Sequence, residues 1–268
     1  MLLNIKNINT RLINRKEDEI DKESIELFEK MGAFIPKEDE LYKLAEQNNL
    51  IEQNEIYQHI QSIKKKCSNV IDYKGGEQNL HIVSLNPNYS FALENLNGVV
   101  GYNIQNNTYL LLHLEENKNI LDNISSLFVH EYHHVIRYLI LQDNNIRKKN
   151  LIDYIIEEGL AENFVVQVLG KSYLNPWATQ LSIEEINSYQ EFLINHLYDE
   201  EPKLIYSALF GDQVEKIPLW LGYNCGFYFI KYLLQHRKKD IIFLTEQKRE
   251  YFIPCLSDFF EHIRRKES

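Results

Sequence analysis

The feature that most constrains this sequence is a long apolar stretch with histidines at its centre, Ile120 to Gln142. It reads ILDNISSLFVHEYHHVIRYLILQ and is apolar on nearly every side when drawn as a helix, which predicts a buried helix that other elements surround. The polar group HEYHH, His130 to His134, lies midway along it. Burying such ionisable side chains is costly unless a metal or other partners satisfy them. The fold is therefore expected to enclose a polar site.

The spacing of the two outer histidines suits a metal ion. His130 and His134 stand at positions i and i+4 of the predicted helix, so both side chains point the same way, one turn apart. Two imidazoles so placed can share one Zn²⁺, and Glu131 can then hold a metal-bound water and accept its proton. The alternative is a histidine-rich helix with hydrogen-bonded core imidazoles. We prefer zinc because the motif falls inside a strongly helical, apolar segment.

The residues after HEYHH exclude one class of zinc site. The pattern HExxHxxGxxH requires glycine at position 137 and histidine at position 140, where this chain has Arg137 and Ile140. The third ligand is then expected to be a glutamate on a following helix. The stretch Leu151 to Gly170, LIDYIIEEGLAENFVVQVLG, offers three candidates: Glu157, Glu158 and Glu162.

Helix lengths favour Glu158 among these candidates. The polar stretch Asp143 to Asn150 predicts a turn between two antiparallel helices. From His134 to the turn is about 8 residues, and from the turn to Glu158 is about 7, or roughly 12 and 10 Å of helix. Glu158 thus returns to the level of His134 and is predicted to be the third ligand, with Glu162 as the alternative. With Glu158 as the ligand, Glu162 is expected to accept a hydrogen bond from the free N–H of a ligating imidazole, that of His130.

Neighbouring residues complete the predicted site. Gly159 is small and is expected to let the second helix approach the first closely, while Glu157 is expected to face solvent. Arg137 lies one turn beyond His134. It is predicted to pair with Glu158 or Glu162, or with another acid, because a buried guanidinium needs a carboxylate partner.

Three motifs together resemble a known family. HEYHH, the segment EEGLAE (Glu157 to Glu162) and GYNCGFYF (Gly222 to Phe229) look like the predicted zinc-dependent proteases typified by the bacterial YjaZ-like proteins. These resemble gluzincins, in which HExxH and a downstream glutamate hold zinc. The likeness runs over about residues 79 to 235 and implies zinc and hydrolysis. EGLA is similar to the glutamate-bearing segment of gluzincin aminopeptidases, but the gap from the second histidine is longer here and no aminopeptidase motif precedes HEYHH.

Composition limits the expected partners and location. A net charge of −10 argues against binding a nucleic-acid backbone and is compatible with a basic peptide. The three cysteines, Cys67, Cys225 and Cys255, are odd in number and far apart, which suits a reducing compartment, so a cytoplasmic protein is expected. Neither an apolar run of about 18 residues nor a signal-peptide pattern is present, so no membrane segment is expected. The oligomeric state stays open.

Periodicity and turn residues place the remaining elements. A strand is predicted at residues 2–13, and helices at Ser24 to Met31 and Lys37 to Lys66. Three strands are predicted next, the last two forming a hairpin: Leu80 to Leu85, Gly98 to Ile104 and Thr108 to Leu114. The rest is predicted to be helical, with helices at Ile183 to Tyr198, Pro202 to Phe210, Gly222 to His236 and Ile253 to Arg265.

These patterns predict an α+β, mostly helical, zincin-like fold of two lobes. One lobe would hold a small sheet beside the HExxH helix (about residues 120–142), and the other the glutamate helix (about residues 151–170) and the C-terminal helices. A helical region is predicted at residues 1–75 and a zincin-like catalytic domain at residues 76–268. In zincin folds an edge strand binds extended peptide. We place that edge at residues 98–104, where Gly98 and Gly101 would let a substrate backbone approach.

The predicted activity is peptide-bond hydrolysis by a zinc-dependent peptidase acting on a peptide or protein. Zn²⁺ would be held by His130, His134 and Glu158, with Glu131 as general base. The alternative is a catalytically silent zincin-like binding or regulatory module with a structural zinc. The presence of Glu131 favours the enzyme, because a structural zinc has no use for a general base.

A donor for the oxyanion is expected from a tyrosine. Many gluzincins use a tyrosine or histidine from the C-terminal lobe. Tyr223 is the preferred candidate because it opens a predicted helix directly after a loop, and because Gly222 and Gly226 beside it would leave room for a substrate. The alternatives are Tyr154, one turn before the predicted ligand Glu158, and Tyr102 in the predicted edge strand.

Overall fold

The fold combines one small β-sheet with many α-helices, as the α+β prediction requires. It is known from a computed structural model, which describes residues 1–14, 21–116, 119–141 and 149–266. The chain divides into two units, Met1–Leu139 and Ile140–Ser268. Across the described ranges, no helix combines the length and apolar character that a bilayer crossing demands.

Among the described residues, the sheet of the first unit has four strands: β1 (Leu2–Asn7), β2 (Glu77–Ser84), β3 (Val99–Ile104) and β4 (Asn107–Leu112). Their order is β1-β2-β4-β3. The pairs β1–β2 and β2–β4 are parallel, and β3–β4 is antiparallel. The prediction that residues 98–104 form an edge of the sheet is confirmed, since β3 lies at the end of this order.

The start of the chain belongs to this sheet. β1 runs parallel to β2, with Leu2 opposite Glu77, so the predicted boundary at residues 75–76 falls inside the first unit. The strand predicted at residues 2–13 is wrong in its second half. Ile8–Asn14 forms a helix instead, in which Ile8 and Leu12 are buried on one face at helical spacing.

Six α-helices of the first unit lie in its described residues: α1 (Ile8–Asn14), α2 (Lys22–Lys30), α3 (Leu41–Gln53), α4 (Ile56–Val70), α5 (Ser90–Asn95) and α6 (Leu121–Leu141). Asp21 caps α2, because its carboxylate accepts a hydrogen bond of 2.7 Å from the backbone amide of Ser24. The single helix predicted at residues 37–66 is wrong. Glu55 has a left-handed φ of +50°, which separates α3 from α4.

The two faces of the sheet bury different residues. Val83, Val100 and Leu111 lie on one face, in a core cluster that also contains Phe28 of α2 and Leu44 of α3. Because side chains alternate along a strand, the neighbouring residues point to the other face. That face carries apolar residues of β2 and β4 and, at one end, three polar residues: Gln78, Asn103 and Thr108.

Helix α6 is buried nearly all round, as predicted. From Ile124 to Arg137 every residue is buried except His134. Helix α4 lies beside it, and the side chain of His59 is 2.6 Å from the hydroxyl of Ser125. The Glu131 side chain of α6 meets the polar end of the sheet. The helix that carries the histidines is therefore fixed by neighbours on several sides.

The second unit is helical in its described residues: α7 (Leu151–Leu169), α8 (Ile183–Ser188), α9 (Gln190–His196), α10 (Pro202–Phe210), α11 (Leu221–His236), α12 (Ile241–Thr245) and α13 (Arg249–Lys266). The helix predicted at residues 183–198 is two helices, α8 and α9. The turn predicted at residues 143–150 lies outside the described residues except for Lys149 and Asn150, and Asn150 is the N-cap of α7.

Helices α7 and α11 approach closely where two glycines meet. A Cβ built on Gly226 would lie 3.0 Å from the amide nitrogen of Gly159. The side chain of Asn163 bridges the same helices, donating to the carbonyl oxygens of Gly159 at 2.8 Å and Phe227 at 3.0 Å. The role predicted for Gly159 is thus corrected, because the helix it adjoins is α11 rather than the HEYHH helix.

Candidate metal centre

The two outer histidines of the HEYHH motif, His130 and His134, converge on one point. In α6, the Nε2 atoms of His130 and His134 lie 3.0 Å apart, with ring centroids 4.7 Å apart and the rings inclined at 77°. His130 is 4% exposed, and His134 is half-buried. The i, i+4 spacing brings the rings together, since residues four apart stand one above the other on a helix.

One group of three side chains among the described residues could hold a metal ion: His130, His134 and Glu158. Each offers one ligand atom, an imidazole nitrogen or a carboxylate oxygen, and these atoms all lie within 4.8 Å of one another. Two imidazoles and one glutamate form a donor set that catalytic zinc sites use. The side chains present therefore fit a zinc ion.

The side chain of Glu131 is buried and bound. It is 6% exposed. Asn103 of β3 donates a hydrogen bond from Nδ2 to Glu131 Oε2, and the same nitrogen lies 3.3 Å from the Glu131 carbonyl oxygen. The sheet thus holds the carboxylate of Glu131, the residue that directly follows His130 in the sequence.

Gly101 leaves room for this carboxylate. A Cβ built on Gly101 would lie 2.6 Å from Cδ and 2.7 Å from Cγ of Glu131, closer than atoms can approach. The interpretation that Gly101 admits a substrate backbone on this face is therefore corrected, because the Glu131 side chain fills the space. Gly98, the other glycine so interpreted, has φ of +76° and serves a turn before β3.

Two further side chains continue the hydrogen bonding from Asn103 into the core. The hydroxyl of Thr108 donates to Asn103 Oδ1 at 2.6 Å, and Gln78 Nε2 donates to Thr108 Oγ1 at 2.8 Å. Thr108 and Gln78 are both fully buried. We call Gln78, Thr108 and Asn103 the polar chain of the sheet; it ends at Glu131.

The carboxylates of α7 have different surroundings. Glu157 pairs with Lys149, whose Nζ lies 2.6 Å from Oε2, and 23% of its side chain is exposed, so it forms a partly solvated ion pair outside the metal-binding group. Glu158, one residue on, belongs to the metal-binding group. Since consecutive residues on a helix are turned by about 100°, the two carboxylates can serve different partners.

Glu162 is fully buried and is bound from within the second unit. Its Oε1 accepts a hydrogen bond of 2.8 Å from the side chain of Asn175, which follows α7 in the chain. It is not a member of the metal-binding group found among the described residues. Its predicted hydrogen bond to the imidazole of His130 stays a prediction.

Arg137 lies in the buried part of α6. Its side chain is 6% exposed, so the guanidinium is not in bulk solvent. A buried guanidinium requires acceptors, which is consistent with the predicted pairing. The identity of its partner, Glu158 or Glu162, stays a prediction.

Tyr223 stands in an aromatic cluster of the second unit. Its ring centroid lies 5.4 Å from that of Trp220, 6.0 Å from Phe210 and 6.4 Å from Trp177, in edge-to-face arrangements. Such contacts hold a ring in one orientation while its hydroxyl can serve a polar partner. The structure leaves the role of Tyr223 in oxyanion binding a prediction.

The other residues of GYNCG serve packing. Asn224 is fully buried: its Oδ1 accepts from the Leu181 amide at 2.9 Å, and its Nδ2 donates to the carbonyls of Trp177 at 3.0 Å and Trp220 at 2.8 Å. A Cβ on Gly222 would meet Leu209 at 2.8 Å, and Gly226 adjoins α7. The space that these glycines were predicted to leave for a substrate is thus filled by protein.

The two alternative tyrosines are placed differently from each other. Tyr102 packs against the core cluster on the face of the sheet opposite to Gly101 and Asn103, so its side chain points away from Glu131. Tyr154 lies in α7 with the Nζ of Lys149 5.5 Å from its ring centroid. Of the two, Tyr102 is poorly placed to act beside the proposed general base.

Sequence reasoning missed the polar chain and Asn175. One signal was available: asparagine and glycine are unusual in strands, and here Gly101 and Asn103 occupy alternate positions on one face of β3. Such a pair indicates a face that meets something bulky and polar. No local pattern links Gln78 to Thr108, because they lie on different strands and meet only when β2 pairs with β4.

Comparisons with known proteins point to one family. The model of the family described as "Predicted Zn-dependent protease (DUF2268)" matches residues 56–254. Two proteins of Bacillus subtilis (strain 168) are similar to this chain: "Uncharacterized protein YjaZ", 34% identical over 119 residues, and "Uncharacterized protein YjfC", 27% identical over 133 residues. The alignments cover 43% and 46% of this chain and 44% of each relative. No solved structure matches the chain.

Proposed function

Because this chain belongs to the DUF2268 family of predicted zinc-dependent proteases, we propose that it is a zinc peptidase that hydrolyses peptide bonds. The zinc ion would be held by His130, His134 and Glu158. The observation that carries the proposal is the convergence of these three side chains, whose ligand atoms lie within 4.8 Å of one another.

When bound, zinc lowers the pKa of a coordinated water and polarises a carbonyl group. The rest of the chemistry belongs to the protein. The carboxylate of Glu131 accepts a proton from the attacking water and passes it to the leaving amine of the substrate. Glu131 is buried, which keeps bulk water away from this carboxylate.

The substrate we propose is an extended peptide or a segment of a protein. β3 pairs with β4 along one side and ends the strand order of the described sheet, so a peptide could add to its other side by backbone hydrogen bonds. Gly101 and Asn103 lie in this strand beside Glu131. A peptide aligned there would run close to the proposed general base.

The oxyanion donor we propose is the hydroxyl of Tyr223. Its ring is held by Trp177, Phe210 and Trp220, which would reduce the reorganisation required when charge develops on the substrate carbonyl.

The cysteines support a reducing, cytoplasmic location for the enzyme. Cys67, Cys225 and Cys255 are free thiols and all three are buried. Burial raises the pKa of Cys225 to about 12, so its thiol stays protonated and unreactive at neutral pH.

The test compares three preparations on an unfolded protein substrate: zinc-loaded protein, protein stripped with a chelator, and zinc-loaded Glu131→Gln. The loaded protein should cleave, the stripped protein should not, and Glu131→Gln should keep its zinc while losing about 10²–10⁴-fold in rate. Cleavage by Glu131→Gln at the unaltered rate would refute the proposed mechanism. Zinc retention with no cleavage of any peptide would instead support a silent binding module.

A further inference from the structure

The polar chain of the sheet lies among buried apolar side chains. Thr108 lies opposite Asn103 in the β3–β4 pairing and opposite Leu80 in the β2–β4 pairing. Leu80, Ile82 and Leu110 on the same face are apolar and fully buried. A polar side chain in such a place costs about 1–3 kcal/mol unless every group is bonded. Apolar residues would serve sheet stability at least as well.

The hydrogen bonds of the polar chain all run in one direction. Gln78 donates to Thr108, Thr108 donates its only hydroxyl proton to Asn103, and Asn103 donates to Glu131. With its oxygen held by the Thr108 hydroxyl, the Asn103 amide presents its NH₂ group to the carboxylate. The reverse orientation would set the amide oxygen against Glu131 Oε2, acceptor against acceptor.

Gly101 leaves space for the Glu131 carboxylate beside β3. It lies two residues before Asn103 on the same face, and the Glu131 side chain occupies the volume that a Cβ there would need. One residue therefore anchors the carboxylate and another gives it space. Both lie on β3, a strand rather than a mobile loop.

We infer that Asn103 is a positioning residue for Glu131, and that Thr108 and Gln78 act through it by fixing the orientation of its amide. This inference rests on the proposed function, in which Glu131 is the general base. A base must lie within hydrogen-bond reach of the proton that it takes, so an error of about 1 Å in its place costs catalysis without affecting substrate binding. The polar chain holds Glu131 in that place.

Two substitutions test different hydrogen bonds of the polar chain. Asn103→Asp has the same shape and keeps an acceptor for Thr108, but sets a carboxylate against Glu131. Thr108→Val has the same shape and lacks the hydroxyl. Each should lower kcat by about 10–100-fold, with KM within about 3-fold of the wild-type value and about one zinc still bound per chain. Thr108→Ser, which restores the hydroxyl, should recover most of the kcat that Thr108→Val loses.

Ser84→Ala is the matched control for lost buried polarity. Ser84 is 3% exposed on β2 and its hydroxyl accepts a 2.8 Å hydrogen bond from Asn9, but it is no part of the polar chain. Its loss should lower the stability of the first unit comparably and leave kcat unchanged. If kcat fell equally in Ser84→Ala and Thr108→Val, the inference would be contradicted, because the polar chain would then contribute only to folding stability.

Crystal structures of the same variants give a readout that needs no activity. In Asn103→Asp, the Glu131 carboxylate should leave its position beside Gly101, while His130 and His134 stay in place. If Glu131 kept its position in both variants, the inference would be overturned. Failure of the proposed function looks different: Glu131→Gln would then leave the cleavage rate unaltered, whereas failure of the inference alone leaves Glu131→Gln inactive and Thr108→Val fully active.

Discussion

Gly159 of α7 and Gly226 of α11 stand so close that neither position has space for a side chain. A Cβ on Gly226 would lie 3.2 Å from the Cα of Gly159, and a Cβ on Gly159 would lie 2.9 Å from the Cα of Gly226. The obstacles are backbone atoms, which cannot turn aside as a flexible side chain can. The helix that carries Glu158 is thus positioned by this contact within its own unit.

Replacing Gly226 by alanine should therefore destabilise the second unit. Separating the two helices to admit one methyl group should cost at least about 1–3 kcal/mol of the free energy of unfolding, the usual penalty for overpacking. Urea denaturation followed by tryptophan fluorescence measures this in the relevant unit, because Trp177 and Trp220 are the two tryptophans of the sequence. Gly75→Ala is the control, because the atoms nearest its Cβ belong to the end of the Tyr73 side chain, at 3.0 to 3.3 Å, and not to a neighbouring backbone. An unchanged midpoint for Gly226→Ala would contradict the tight helix contact.

The proposed metal ligands can be distinguished from their neighbours by measuring how much zinc each variant binds. His130→Ala, His134→Ala and Glu158→Ala should each abolish the binding of about one zinc per chain, since each removes one of three protein ligands. Glu162→Ala should weaken zinc binding by only about 10–100-fold, as expected for a residue that supports a ligand. Metal analysis after equilibrium dialysis provides the measurement. A zinc-free Glu162→Ala beside a fully loaded Glu158→Ala would reverse the two assignments.

Tyr223 should matter for rate and not for folding. Phenylalanine keeps the ring contacts with Trp177, Phe210 and Trp220, so Tyr223→Phe should fold and bind zinc normally. Losing one oxyanion donor should lower kcat by about 10²–10³-fold. Steady-state kinetics on a fluorogenic peptide gives the comparison, with Tyr154→Phe measured beside it. A large loss in Tyr154→Phe together with an active Tyr223→Phe would transfer the role to Tyr154.

Asn224, the next residue, should instead matter for the stability of the fold. Leucine at this position would remove the hydrogen bonds to the Leu181 amide and the Trp177 carbonyl, while the Trp220 carbonyl keeps the one from the backbone amide of residue 224. Each buried polar group so deprived costs about 1–3 kcal/mol, so Asn224→Leu should unfold at markedly lower urea. The tryptophan emission of the folded variant should also change. Normal stability in Asn224→Leu would show that these contacts contribute little to the fold.

The sequence was most informative where one local pattern specified one element. The apolar period and the HEYHH motif predicted α6 to within one residue at either end, and the run LIDYIIEEGLAENFVVQVLG predicted α7. The break at Glu55 was not predictable, because no glycine or proline marks the left-handed residue. Helix α1 was missed because Ile8 and Leu12 suit a helix face as well as a strand.

Partners across the fold were harder to predict than elements. A glycine at position 159 indicates a close approach, yet nothing local identifies the neighbouring backbone as that of Gly226. For Asn103 the obstacle was similar: its strand was predicted, but the carboxylate that it binds lies in α6, beyond β4. Long-range pairs depend on how elements pack, and periodicity contains no such information.

The parallel pairing of β1 with β2 also affects how the chain reaches its native state. Helices α1 to α4 lie between these strands in the chain, so the pair forms only after a long loop has closed and its entropy has been lost. The helices need mainly local contacts and can form earlier. Gln78 is on β2, so the support it gives to Glu131 is completed only when the sheet assembles. During refolding, helical circular dichroism should therefore recover before peptidase activity does.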